Sequence, residues 1–146
     1  MSKFTLLSVC ALAVLSNVYA LSDETKTAFQ EAIKPLIEEC SEAHGISMDE
    51  IKAAKEAGTS SGLKPCFLGC VLKKGNILND KGEYDVDAAL KVIKKYISDE
   101  EEFSKFAEVG KKCASINDEA VPDGAEGCER AKLLLSCIHQ NKDGIL

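Results

Sequence analysis

The chain has 146 residues, with 18 basic against 24 acidic side chains and a formal net charge of -6. An acidic surface of this kind excludes the clustered lysines and arginines that nucleic acid and anionic membranes require. Glycine and proline are sparse, at 10 and 3, and β-type alternation is nearly absent, so helical spacing dominates the reading.

Residues 1–20 read as a secretory signal. Lys3 supplies the positive start, Leu6 to Leu15 the apolar run, and Val18-Tyr19-Ala20 the small-residue cleavage position. The run is shorter than the roughly 20 residues that span a bilayer, and no later stretch approaches that length. Cleavage after Ala20 leaves one domain, residues 21–146, expected to be secreted and soluble. It also removes Cys10 and leaves six cysteines, Cys40, Cys66, Cys70, Cys113, Cys128 and Cys137. An even set in an exported chain implies disulfides.

Six helices are expected in order. The first starts at Ser22 or Asp23 and carries Phe29, Ile33, Leu36, Ile37 and Cys40 on one apolar face. Pro35 within it predicts a kink or break, and Gly45 closes it. The second opens on a capping box, Ser47-Met48-Asp49-Glu50, and stops at Gly58. The third begins at Pro65, a first-turn proline, and ends at Gly75. Asn76 to Tyr84 is a loop with a turn at Asn79-Asp80-Lys81-Gly82. Asp85 caps the fourth helix, whose face is Val86, Leu90, Ile93 and Ile97. A second capping box, Ser98-Asp99-Glu100-Glu101, opens the fifth, with Phe103, Phe106, Gly110 and Cys113 on one face. After a loop over 117–127, the sixth runs from Gly127 to Gln140. Its apolar residues go most of the way round, which marks a central helix. Ile145-Leu146 end the chain as a tail that could close over a pocket.

On a helix, Cys66 and Cys70 are about 40° apart and leave one face, whereas Cys128 and Cys137 are about 180° apart and leave opposite faces. A local bridge within either pair is disfavoured, but 15 pairings of six cysteines remain open to sequence. Three bridges, each worth roughly 3 to 4 kcal/mol, can offset the roughly 24 cal/mol per Å³ that a cavity costs.

The spacings Cys40-x25-Cys66-x3-Cys70-x42-Cys113-x14-Cys128-x8-Cys137 resemble those of the insect odorant-binding protein family, which includes the pheromone-binding proteins. The run Pro65 to Gly75, then Ile77-Leu78 and Gly82 to Val86, is also similar to that family. The resemblance spans nearly the whole mature chain. It implies an all-α fold, six disulfide-stapled helices enclosing an apolar cavity, with bridges Cys40–Cys70, Cys66–Cys128 and Cys113–Cys137. It implies a carrier of odorants, pheromones or similar small apolar compounds, delivering them to chemosensory receptors as a monomer or weak homodimer. Family members also serve reproductive and salivary fluids, and a ligand-free helical interaction protein is a further alternative. This chain has no tryptophan and only a short segment after its last helix, so ligand expulsion by a tail that turns helical is not carried over.

The cavity lining is expected from Ile33, Ile51, Ala54, Leu72, Ile77, Leu90, Phe106, Leu134 and Ile138. Tyr84 and Tyr96 are candidate polar contacts, unless they are simply surface tyrosines. Burying about ten methylenes at about 0.8 kcal/mol each gives about 8 kcal/mol, close to what micromolar binding needs. His44 and His139, both at helix ends, are the titratable candidates for pH-dependent release.

Catalysis is not expected. Gly58-Thr59-Ser60-Ser61-Gly62 matches the nucleophile-elbow pattern, but an alanine-rich helix precedes it where a strand is required. Cys66-x3-Cys70 has zinc-ligand spacing, whereas Cys128-x8-Cys137 does not. The acidic stretch from Asn79 to Asp87 breaks the EF-hand order because Gly82 comes too early. No cofactor or metal is expected.

Overall fold

The computed structural model describes residues 22–141. The expected signal at residues 1–20 and the apolar end Ile145-Leu146 lie outside the described residues. Helix α1 spans Asp23–His44. The Ser22 hydroxyl accepts from the Thr25 amide at 3.2 Å, and Gly45, at φ 64°, ends the helix in the left-handed region that a glycine tolerates. Of the kink or break expected at Pro35, the break does not occur: α1 is continuous through it. Pro35 and Glu31, whose carbonyl loses its intrahelical donor, are both exposed, so water can take the missing hydrogen bond.

Helix α2 spans Met48–Ala57 and has the full capping box. Glu50 N–H donates to the Ser47 hydroxyl at 3.2 Å, and Ser47 N–H donates to the Glu50 carboxylate at 2.8 Å. Helix α3 spans Pro65–Lys74, with the proline in its first turn. Helix α4 spans Val86–Lys94 under an Asp85 cap. Its deepest residue is Ala89, and Ile97 of the expected face is buried just beyond its end.

Helix α5 spans Glu100–Lys112, and its cap is Asp99, not Ser98. Asp99 accepts from the Glu102 amide at 2.8 Å. The sequence fits Asp99-x-x-Glu102 as well as Ser98-x-x-Glu101, and a carboxylate at the cap adds a favourable charge at the helix N-terminus. The Glu102 side chain does not close the box; it accepts from Ser22 N–H at 3.2 Å and ties the start of α1 to the start of α5.

Between α5 and the last helix lie two 3₁₀ segments, Cys113–Asp118, which starts before the expected loop, and Gly124–Glu126 within it. Helix α6 spans Cys128–Gln140. Gly127 offers it no side-chain cap, so Asp123 does so from outside, accepting from Cys128 N–H at 2.7 Å and Glu129 N–H at 3.2 Å. Ala131 and Leu134 are fully enclosed, which bears out α6 as the central helix. Beside them, buried Arg130 donates from Nη1 to the carbonyls of Ile116 and Glu119, tying α6 to the first 3₁₀ segment.

Among the described residues there is no strand, only an isolated antiparallel bridge between Leu78 and Tyr84. The turn it closes is held by Asn79 Oδ1, which accepts from the Lys81 and Glu83 amides, both at 3.0 Å. That side chain is committed to backbone, so the acidic stretch is a turn.

The core centres on α3 against α6, flanked by α1, α4 and α5. Phe67, Leu68 and Leu72 of α3 meet Ala131 and Leu134 of α6, with Leu78, Tyr84, Ala89, Val109 and Ile116 around them. Gly69 allows the close approach: a Cβ there would lie 3.0 Å from the Gly127 carbonyl oxygen. The three bridges are Cys40–Cys70, Cys66–Cys128 and Cys113–Cys137, with Cα separations of 5.9, 4.2 and 5.8 Å. They join α1 to α3, α3 to α6, and the end of α5 to α6. No helix among the described residues is long and apolar enough to cross a membrane.

Candidate ligand-binding site

Helix α1 is amphipathic, yet of its apolar stripe only Cys40 is fully in the core. Its buried residues are Thr25, Cys40 and Ser41, while Ile33, Leu36 and Ile37 stay half-buried and Phe29 is 37 % exposed. The stripe faces α3 across a cleft of about 450 Å³. Phe67, Val71 and Leu72 of α3 form the opposite wall, and Ile51, Leu63, Ile77, Val92, Tyr96 and Leu135 complete it. Small-molecule sites are typically about 300–1,000 Å³ and mostly apolar, and this cleft meets both measures. Among the described residues it is partly open to solvent. Ser60, Lys74, Asn76 and Lys95 supply its polar rim, where Lys74 pairs with Glu39 at 2.7 Å.

The Cys40–Cys70 bridge spans the two walls. It fixes their spacing without filling the space between them, the mechanical condition for an unfilled cleft to persist.

Of the residues expected to line a pocket, Ile33, Ile51, Leu72, Ile77 and Tyr96 meet at this cleft. Ala54 and Ile138 do not. They border a shallower recess of about 550 Å³ between the end of α2 and α6, which also takes in Ile51, Leu63, Leu135 and His139. Phe106 lines a third recess of about 320 Å³ with Phe29, Ile93, Tyr96 and Ile97. Leu134 is solid core with no exposed surface. Leu90 packs α4 onto α5, with Cδ2 3.5 Å from where a Gly110 Cβ would sit.

Tyr84 is neither a surface residue nor a free hydroxyl. It is buried, and its hydroxyl donates to the Gly110 carbonyl at 3.0 Å; burial pushes the phenol above its ordinary pKa. Tyr96 is half-buried and its ring meets Phe29 edge-to-face, centroids 6.0 Å apart and planes at 83°. Such a pair adds about 0.5–1.5 kcal/mol beyond burial, little enough to rearrange around a ligand.

Sequence reasoning placed Phe29, Leu36 and Ile37 on an apolar face but did not assign them to the site. Val71 and Leu135 were likewise read as ordinary helix residues. The signal that distinguishes them is partial exposure, which periodicity does not carry.

Among the described residues, the other chemistries have no geometry behind them. Cys66 and Cys128 lie near Glu126 in metal-ligand range, but the two sulfurs are bonded to each other and offer no thiolate. Ser60 and His139 border one recess, with no hydrogen bond joining them among the described residues. Ser60 follows helix α2 and not a strand. His44 ends α1, half-buried, and its carbonyl accepts from Lys64 Nζ at 3.3 Å; His139 is exposed near the end of α6.

No curated protein and no solved structure shows a significant match to the chain. The model of the PBP/GOBP family, the insect odorant-binding family, matches residues 22–141, from the cap of α1 to the residue that ends α6. With six α-helices and three disulfides among its described residues, the chain belongs to that family of binding carriers.

Proposed function

We propose that this protein is a secreted carrier that takes one small apolar molecule into the cleft between α1 and α3 and does no chemistry on it. The cargo is an odorant, a pheromone or a similar semiochemical, handed on to a chemosensory receptor. The observation that carries this reading is the half-buried apolar stripe of α1 facing Val71 and Leu72 across a disulfide-fixed gap. A chain that needed only a solid core would close that gap, since each unburied side chain forgoes about 25 cal/mol per Å².

The test is uptake of the apolar fluorophore N-phenylnaphthylamine by the oxidised protein, followed by displacement with alcohols and esters. The chain has no tryptophan, so an added probe is the appropriate reporter. Saturable one-site uptake at micromolar concentration is expected, and Val71→Glu, which puts a charge on the cleft wall, should lower affinity at least ten-fold. A folded, fully oxidised sample that takes up no probe would point instead to a ligand-free interaction protein.

A further inference from the structure

The cleft between α1 and α3 and the recess around Phe106 share two side chains, Phe29 and Tyr96, and no others. These are the two rings that meet edge-to-face at 6.0 Å. Along α1 the larger space is bordered by Phe29, Ile33 and Ile37, and the smaller by Thr25, Lys26 and Phe29. Both therefore lie on one helical face, in line, and Phe29 is where one passes into the other. From Thr25 to Ile37 the face runs roughly 18 Å at 1.5 Å per residue.

We propose that the Phe29–Tyr96 ring pair is a partition that sets the chain length of the cargo, and that the recess of Ile93, Ile97 and Phe106 is the extension of the binding site behind it. This rests on the carrier reading above. The occupant is an unbranched alkyl chain. A straight chain is the shape that follows two apolar spaces joined end to end along one helix.

Phe29 suits the role. It is 37 % exposed, so its ring is free to turn aside or be removed without opening the core. While it stays in place, the methylenes of a longer chain have no apolar surface to reach. Each methylene buried is worth about a four-fold gain in affinity, so the limit shows as the length at which that gain stops.

The test is displacement of N-phenylnaphthylamine by octanol, decanol, dodecanol and tetradecanol. The wild type, Phe29→Ala, Ile93→Phe and the double variant are compared, each with its thermal midpoint checked. In the wild type, affinity should rise with length and then level off. Phe29→Ala should carry the rise on, raising the ratio of tetradecanol to octanol affinity at least ten-fold over that of the wild type. Ile93 borders only the smaller recess of the two, so Ile93→Phe should cancel that gain in the double variant and leave octanol unaffected. Phe29→Ala shifting all four alcohols alike, or the gain surviving Ile93→Phe, overturns the partition. Probe uptake absent from the wild type removes the carrier reading and this inference with it, whereas uptake without the length effect removes the inference alone.

Discussion

Tyr84 and Asn117, 33 residues apart, exchange two hydrogen bonds: Tyr84 N–H donates to Asn117 Oδ1 at 2.9 Å, and Asn117 Nδ2 donates to the Tyr84 carbonyl at 2.8 Å. The amide acts as a one-residue strand partner, satisfying both backbone groups of a buried residue that lies outside any helix. It also pins the loop before α4 to the 3₁₀ segment after α5. Asn117→Ala leaves both groups without partners and should cost about 2–3 kcal/mol. Asn117→Asp keeps the acceptor but loses the donor and should fall between. Urea unfolding checks the order.

Gly82 sits at φ 74°, and a Cβ there would lie 2.6 Å from the Gly124 carbonyl oxygen. Both the backbone conformation and the space exclude a side chain. Gly82→Ala should lower stability by at least about 2 kcal/mol. A loss of a few tenths would mean that the turn shifts freely away from the second 3₁₀ segment.

The bridges should differ in worth by the loops they close. Replacing Cys66 and Cys128 by alanine opens a separation of 62 residues, against 30 for Cys40–Cys70 and 24 for Cys113–Cys137. Chain entropy gives about 4 kcal/mol for the first and about 3.5 for the others. Urea midpoints of the three double variants should rank accordingly. The Cys40–Cys70 variant should in addition weaken probe binding, because that bridge sets the width of the cleft.

The capping box of α2 predicts an acid-dependent contribution. The Ser47 backbone amide, and then its hydroxyl, hold the Glu50 carboxyl below its ordinary range. A carboxyl lowered in the folded state adds stability above its unfolded pKa and loses it as pH falls through the folded value. Glu50→Gln should therefore be less stable than the wild type at neutral pH, with the gap closing as the pH drops below the carboxylate range. A gap that does not vary with pH would mean the ionised form contributes nothing.

Helix ends were legible because their signals are local: Ser47 with Glu50, Asp85, and the glycines at 45 and 58 each act within a turn of their own position. The cysteine pairing came only with the family resemblance, since geometry excluded little beyond local bridges. Asp123 and Arg130 escaped because they act from loop to helix and from helix to loop, over sequence gaps that no pattern marks. Tyr84 was misjudged for the same reason, its depth being decided by Asn117 and Gly110. At the cleft, the sequence supplied Ile33, Ile51, Leu72 and Ile77 as apolar lining. It could not separate walls from core, so Leu134 and Leu90 were chosen alongside them and Phe29 was passed over. Exposure of an apolar stripe depends on how far apart two helices are held, here by Cys40–Cys70, and that distance is tertiary.

The central claim is that cargo lies between α1 and α3, and intermolecular NOEs between dodecanol and methyl-labelled protein test it most directly. NOEs from the alkyl chain to Ile33, Val71, Leu72 and Ile77 are the predicted result. NOEs confined to Ala54 and Ile138 would move the site to the recess between α2 and α6, and none at all under saturating ligand would contradict the carrier account.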